Sequence, residues 1–318
     1  MKHAPVLHRL EYGAYLALKG AVRALPHAAA RPLGAALGRL AHLLDRRRRR
    51  VAAANLGLAF PELAPQERRR LVAACFRHFG AAICDLISSD RFDSIELCRR
   101  FSIQGWEHLD RAERRGRGVY LLGAHHGYWE ISGRPIGLYR GVLHTVARPA
   151  DNPYLDRELQ RLRQRNGYAV IHKRGAARRM LQVVRAGGRV GILPDQRVQE
   201  REGILVPFFG HPALTTPILA RLSRRDGAPV VPVFAYPAPG GCYRLVIHPP
   251  ILPDEAAGDG EEEAVAALTR RYLEIIEREI REHPHMWLWM HRRWARPRKA
   301  AAPEPAAPAA AAADQRTS

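Results

Sequence analysis

The residues best suited to chemistry lie in one short run, Leu121-Leu-Gly-Ala-His-His-Gly-Tyr-Trp-Glu130. His125 and Glu130 are an imidazole and a carboxylate. A carboxylate on one ring nitrogen fixes the tautomer and leaves the other nitrogen to accept a proton. Five residues along a continuous helix turn a side chain by roughly 500°, which would leave the two roughly 140° apart. They can meet only if His125 sits on a turn, which Gly127 permits, and Glu130 lies one turn into the next helix. Such a base suits removal of a proton from an alcohol. No serine or cysteine in this run could serve as a nucleophile, so direct transfer to a substrate hydroxyl fits better than a covalent enzyme intermediate. His126 offers a second base or a metal ligand, and a purely structural turn is a further reading of the same residues.

The elements around the run must place it. Val119 to Leu122 is a short apolar stretch that reads as a strand, and pocket residues in open α/β sheets gather at the carboxyl ends of strands. Similar runs occur at Val142 to Val146, Ala169 to Ile171, Val190 to Leu193 and Val230 to Phe234. Helical stretches separate several of them, notably Pro153 to Arg165 and Gly175 to Ala186, and Glu261 to Glu282 follows. This alternation predicts a mostly parallel mixed sheet flanked by helices, an α/β fold. The first hundred residues read as helical. Pro65 suits a first turn, and Leu71, Val72, Cys75, Phe76, Phe79, Ile83 and Leu86 follow at three- and four-residue steps, which predicts one helix to about Ser88.

Three segments result: 1–44, an amphipathic helical section; 45–297, the α/β domain; and 298–318, an Ala- and Pro-rich tail expected to be disordered. Val6 to Leu25 is interrupted by His8, Arg9, Glu11, Lys19 and Arg23, so it is no membrane span. With Leu7, Leu10, Tyr15, Leu18, Val22 and Leu25 it reads either as an interfacial helix or as an ordinary packed one. The chain of 318 residues carries 51 Lys+Arg against 31 Asp+Glu, a net charge of +20, and only four of the cations are lysines. That balance favours anionic partners: a membrane face, phosphorylated substrates, an acidic protein or nucleic acid. The arginines are scattered and no nucleic-acid motif appears, so nucleic acid is not expected. The four cysteines show no metal-ligand spacing and suggest a reducing compartment, and no secretory signal is read.

The His-x4-Glu motif after a strand resembles the signature of the glycerolipid acyltransferase superfamily. The wording Ala124-His-His-Gly-Tyr-Trp-Glu130 is similar to its bacterial lipid A lauroyl/myristoyl acyltransferase branch. Further blocks resemble that branch in order: Asn55-Leu-Gly-Leu-Ala-Phe-Pro-Glu62, Phe76-Arg-His-Phe79, Arg148-Pro-Ala-Asp-Asn-Pro-Tyr-Leu155, Leu193-Pro-Asp-Gln196, Val206-Pro-Phe-Phe-Gly210, Val231-Pro-Val-Phe234 and Trp287-Leu-Trp-Met-His-Arg-Arg-Trp294. The resemblance spans roughly residues 45 to 297. Three details depart from the pattern. His126 stands where an aromatic residue is usual and Tyr128 where asparagine is usual, and the apolar N-terminal anchor is weak.

The resemblance implies a glycerolipid acyltransferase-like fold. It also implies transfer of a fatty acyl chain from acyl carrier protein to a hydroxyl of a lipid A precursor, with no cofactor beyond that thioester. His125 is then the general base and Glu130 orients it. Arg148, two residues past the Val142 to Val146 run, is expected to hold an acceptor phosphate or developing negative charge, with Asn152 of the same block beside the substrate. Asp195 would hold Arg148 or a substrate hydroxyl, or cap a helix. Phe208 and Phe209 would line an acyl channel or fill the core. The tryptophans at 287, 289 and 294 would seat the body at lipid or pack on the sheet. Partners implied are acyl carrier protein, a phosphorylated glycolipid and the anionic cytoplasmic face of the inner membrane, where the chain would be peripheral or monotopic. Another glycolipid, such as a phosphatidylinositol mannoside, is the alternative acceptor. A basic membrane- or nucleic-acid-binding protein is the alternative without catalysis.

Overall fold

The computed structural model describes residues 5–294 except 166, 173–174 and 255–259. The tail expected at 298–318 therefore lies outside the described residues. Four helices come first: α1 (Pro5–Ala24), α2 (His27–Leu44), α3 (Arg46–Ala59) and α4 (Pro65–Ser89). Pro65 opens α4 as predicted, and the Glu67 carboxylate reaches back to accept from the Ala64 backbone N–H at 3.0 Å. Val72, Cys75, Phe76 and Phe79 of its apolar stripe are buried, whereas Ile83 is 54% exposed. By length and composition α4 could cross a membrane, unlike anything the sequence suggested, but 50% of its apolar window is buried within the protein.

The α2–α4 contact depends on absent side chains. A Cβ on Gly34 would stand 2.2 Å from the Gly80 carbonyl oxygen, and one on Gly80 would stand 2.1 Å from that of Gly34. The two backbones thus approach as closely as glycine allows.

After α5 (Ser94–Cys98), β1 (Phe101–Gln104) and α6 (Trp106–Glu113), the chain enters β2 (Val119–Leu122). Two short helices, α7 (Trp129–Ser132) and α8 (Arg134–Arg140), lead to β3 (Leu143–Ala147). Then follow α9 (Pro153–Arg165), β4 (Tyr168–His172), α10 (Ala176–Arg185) and β5 (Arg189–Ile192). A hairpin of β6 (Ile204–Phe208) and β7 (His211–Thr215) precedes α11 (Ile218–Asp226), β8 (Val230–Ala238), β9 (Cys242–Ile247) and α12 (Glu261–Glu282).

Seven strands form one sheet in the order β1-β9-β8-β2-β5-β3-β4, parallel throughout except that β8 and β9 are antiparallel. The mixed, mainly parallel sheet expected from the apolar runs is therefore present. β2 lies in its interior, and all four of its residues are buried, as a strand covered on both faces requires. Tyr120 and Leu122 join the core beneath α4, α10 and α12, while Val119 and Leu121 join the opposite core beside α6, α7 and α8. The chain passes from β2 to β3, β4 and β5 on one side, then returns to β8 on the other, so β2 lies where the winding reverses.

Candidate active site

The parallel pairing of β2 and β5 builds the centre of the site. Leu122 is in register with Ile192, and His125 and Asp195 each lie three residues beyond that pair. The two side chains therefore emerge at adjacent strand ends although 70 positions separate them. His125 Nδ1 is 2.8 Å from Asp195 Oδ1. The His125 backbone N–H donates to Asp195 Oδ2 at 2.9 Å, and the Trp287 indole N–H donates to the same oxygen at 2.8 Å.

Asp195 has no exposed surface, and these donors explain its charge. Burial works to raise its pKa, but the charge and hydrogen bond of His125, the indole and the backbone N–H hold it at about 2. An ionised carboxylate can only accept, so Nδ1 carries the hydrogen and Nε2 is the nitrogen free to take a proton. For His125, burial disfavours the imidazolium. The field and hydrogen bond of Asp195 outweigh that, with Glu130 adding, and the pKa is raised above the usual histidine value. The side chain keeps 22% exposure, so its free edge can meet a ligand.

The expected partnership with Glu130 is replaced here. Glu130 is the second residue of α7 and not one turn into it, and its oxygens are taken by Arg163 of α9, at 2.7 Å from Nη2 and 3.1 Å from Nε. Sequence proximity favoured Glu130 as the orienting group, but sheet adjacency gives that place to Asp195. Gly127 has the turn anticipated for it, at φ +60, and a Cβ there would lie 2.2 Å from the Ala235 carbonyl oxygen.

A cavity of about 390 Å³ opens at this edge, and His125, Trp129, Glu130, Arg148, Arg163 and Tyr168 are among its walls. Arg148 stands at its exposed side and pairs with Asp151 at 2.9 Å. Asp195 does not hold it. Asn152, expected beside the substrate, is engaged structurally. Its Nδ2 donates to the His8 carbonyl at 2.9 Å and to Glu11 at 2.8 Å, while its Oδ1 accepts from the Tyr154 N–H at the start of α9. It ties α1 to α9 instead of facing the cavity. Phe208 and Phe209 do not line this cavity. They are buried against Trp287, Trp289, Trp294 and Phe60, which is core packing.

His126 points away from the cavity. It is buried beside Tyr236 and Phe234, its Nε2 lies 3.3 Å from the His283 carbonyl, and burial pushes its pKa down to about 3. Among the described residues no cluster of histidine, cysteine or carboxylate side chains could hold a metal ion.

The closing segment crosses behind the base. The Leu288 N–H donates to the His125 carbonyl at 3.0 Å, and Asn55 Nδ2 donates to the carbonyls of Trp289 and His291 at 2.8 and 2.6 Å. Trp287 and Trp289 are buried, so the packing reading of these tryptophans holds and the lipid-seating one does not. Sequence reasoning missed two residues of the site. The sequence points to packing or a lipid contact for Trp287 and to no role at His125. Arg163 carried one signal, its place four residues after Leu159 on the apolar side of a helix, where a charge needs a partner.

Comparison with known proteins identifies the family. The family model of bacterial lipid A biosynthesis acyltransferases matches residues 1–296. The chain is 31% identical over 264 residues to the lipid A biosynthesis palmitoleoyltransferase of Escherichia coli, covering 82% of this chain and 83% of that one. To the lauroyltransferase of the same organism it is 29% identical over 272 residues, covering 85% and 86%. Among solved structures, the 1-acyl-sn-glycerophosphate acyltransferase of Thermotoga maritima covers 81% of this chain and 99% of its own, at 17% identity and a TM-score of 0.36, too loose an overlap to bear on function. With a family match across nearly its whole length, the chain belongs to the bacterial lipid A biosynthesis acyltransferases and is an acyltransferase.

Proposed function

We propose that the protein moves a fatty acyl chain from an acyl carrier protein thioester to a hydroxyl of a lipid A precursor at the cytoplasmic face of the inner membrane. The observation that carries this reading is His125, fixed through Nδ1 by a buried, ionised Asp195 and facing a cavity with Nε2 free. In the reaction the acceptor hydroxyl gives its proton to Nε2 as its oxygen bonds to the thioester carbonyl carbon. The carbon–sulfur bond then breaks, and the imidazolium returns the proton to the departing thiolate. Asp195 stabilises the imidazolium in between. The Glu130–Arg163 pair lines the same cavity. Glu130 adds to the negative field at His125, and the Arg163 guanidinium offers donors to the oxyanion as it forms.

A second cavity, of about 280 Å³, shares Trp129 and Glu130 with the first and is otherwise walled by apolar residues such as Phe79, Ile83, Leu86 and Met290. It suits the transferred chain, which is neutral and aliphatic. Ile83, the exposed residue of the α4 stripe, lies on its wall, so the pocket opens at the protein surface near α4.

Membrane contact is argued from the outer faces of the first helices. Leu37, Leu40, Leu43 and Leu44 of α2 are exposed, as are Val6, Leu7, Leu10 and Leu16 of α1, and Arg39 and Arg46 to Arg48 lie beside them. Apolar side chains bordered by cations suit an anionic lipid surface. Mass spectrometry of lipid A from cells with and without the gene tests the function. Loss of one acyl mass without the gene is expected, and an unchanged acylation pattern would contradict the reading.

A further inference from the structure

A groove of about 660 Å³ runs between the outer sides of α10 and α11. Leu181 and Leu222, both buried, form its floor, and Arg178, Arg185, Arg221 and Arg225 form its walls. The spacing produces this arrangement. Seven residues along α10 are about two turns and four along α11 about one, so each helix presents both of its arginines on one side. All four side chains are exposed, and no carboxylate lines the groove. Among the described residues Arg178, Arg185 and Arg225 have no ion-pair partner, and Arg221 meets only the exposed Glu262, at 2.8 Å. Asp226, which lines a neighbouring hollow with Arg185 and Arg225, is buried and already accepts from the Tyr120 hydroxyl at 2.7 Å and the Ala228 N–H at 3.1 Å. Like charges at this spacing repel one another, so the groove gains stability when an anion enters it.

The place of the groove relative to His125 says which anion. The transferred chain fits the apolar cavity reached past Trp129 and Glu130. A thioester held at His125 with its chain there has its sulfur, and whatever bears that sulfur, on the other side of the chamber. On that side Val146, Arg148 and Leu193 are shared with a passage whose far wall includes Ala177, Ile218 and Arg221. Those last three residues also line the groove, so the groove is where this route reaches the surface. Shape and polarity narrow the occupant further. Among the described residues α10 and α11 expose no large apolar side chain, whereas α1 and α2 expose several leucines. A lipid surface is served by the leucines bordered by cations. A cleft whose exposed walls are cationic suits a convex acidic element of a folded protein, and α10, ten residues and roughly 15 Å long, offers room for a docked helix of two or three turns.

Resting on the function proposed above, we propose that the groove between α10 and α11 is the docking surface for the acidic protein that carries the acyl thioester. Arg178 and Arg185 lie along one side of an acidic helix of that carrier, and Arg221 and Arg225 along the other. The docked carrier feeds its thioester past Arg148 to His125, from the side opposite the pocket for the chain. Carrier recognition then belongs to α10 and α11, and membrane contact to α1 and α2.

Two measurements test this. In the first, fluorescence anisotropy follows dye-labelled holo acyl carrier protein binding to three proteins. They are the parent, a groove variant carrying Arg178→Glu and Arg225→Glu, and a control carrying Arg69→Glu and Arg70→Glu, which makes the same charge change at exposed positions of α4. The groove variant should bind at least about tenfold more weakly than the parent and the control within about threefold of it, and added salt should weaken the parent. A carrier that binds the groove variant as it binds the parent, or that does not bind the parent, overturns the proposal. So does a groove variant that keeps the carrier but loses anionic vesicles or duplex DNA, because the groove then serves another polyanion. Binding needs no turnover, so a parent that binds the carrier through the groove yet transfers no chain strikes the functional reading and leaves the docking surface assigned. In the second, the same fatty acyl group is supplied as its carrier thioester and as its neutral pantetheine thioester. The groove variant should raise KM at least about tenfold for the carrier thioester and stay within about twofold of the parent for the pantetheine one. Equal losses with both donors contradict a docking role.

Discussion

At the scale of single residues, the site works through which carboxylate holds which nitrogen. Asp195→Asn should lower kcat by about 10²- to 10⁴-fold, the usual worth of a positioned base. Its pH profile should also move. Asp195 raises the His125 pKa, so the acid limb of kcat/KM should lie above the ordinary histidine value in the parent and shift to lower pH in the variant. A limb that stays in place would show that Asp195 does not set the charge of His125. The same carboxylate contributes to folding. Its folded pKa of about 2 lies below the unfolded value of 3.8, so its stabilisation is complete above about pH 4 and is lost as pH falls through about 2. Chemical denaturation at pH 5 and pH 3 should therefore show a smaller loss in Asp195→Asn than in the parent. Glu130 and Arg163 form one bidentate pair, so their alanine substitutions should be non-additive in turnover. Additive losses in a double-mutant cycle would mean that they act separately.

Elements decide what was legible before the structure. Short apolar runs revealed β2, β3, β4, β5 and β8, because buried parallel strands leave no polar face, and the regular stripe of α4 gave its start at Pro65. β9 escaped notice although Tyr243, Leu245 and Ile247 alternate inward, as did the β6–β7 hairpin, where Pro207 faces Pro212. Proline tolerated on such a two-stranded ribbon obscured its strand character. The turn at Gly127 was legible from its residue type and place after the strand. Asp195 as the partner of His125 was not, because the order β2-β5 within the sheet is a long-range fact. Asn152 and the Phe208-Phe209 pair show the converse: their motif drew attention to them, and their contacts are structural. The packing of α2 on α4 gives a sharper prediction at this scale. Gly34→Val should destabilise the protein by about 1–3 kcal/mol or more through backbone displacement, whereas Gly13→Ala on α1, where a Cβ meets open space, should be neutral or slightly stabilising. Thermal unfolding of the two variants distinguishes them, and equal midpoints would contradict close α2–α4 packing.

For the whole molecule, the net charge of +20 is partly an internal matter. Arg31 pairs with buried Asp85, Arg189 with Glu113, Arg161 and Arg165 with Asp90, and Arg163 with Glu130. These arginines join elements of the fold. The cations left for a surface role include Arg39, Arg46 and Arg47, next to the exposed leucines of α2. Leu40→Asp with Leu44→Asp should weaken binding to anionic liposomes by at least about tenfold, and raising salt should weaken the parent. Binding that is insensitive to both would remove this face from the membrane account. Arg148→Ala should impair use of a phosphorylated acceptor more than hydrolysis of the donor thioester, and equal losses in both would deny it an acceptor role.

The central claim is that His125 is the base for acyl transfer. Single-turnover transfer from an acyl carrier protein thioester to a lipid A precursor, measured for the parent and for a folded His125→Ala protein, tests it most directly. A fall of about 10²- to 10⁴-fold is expected for the variant, while a rate near that of the parent would contradict the account.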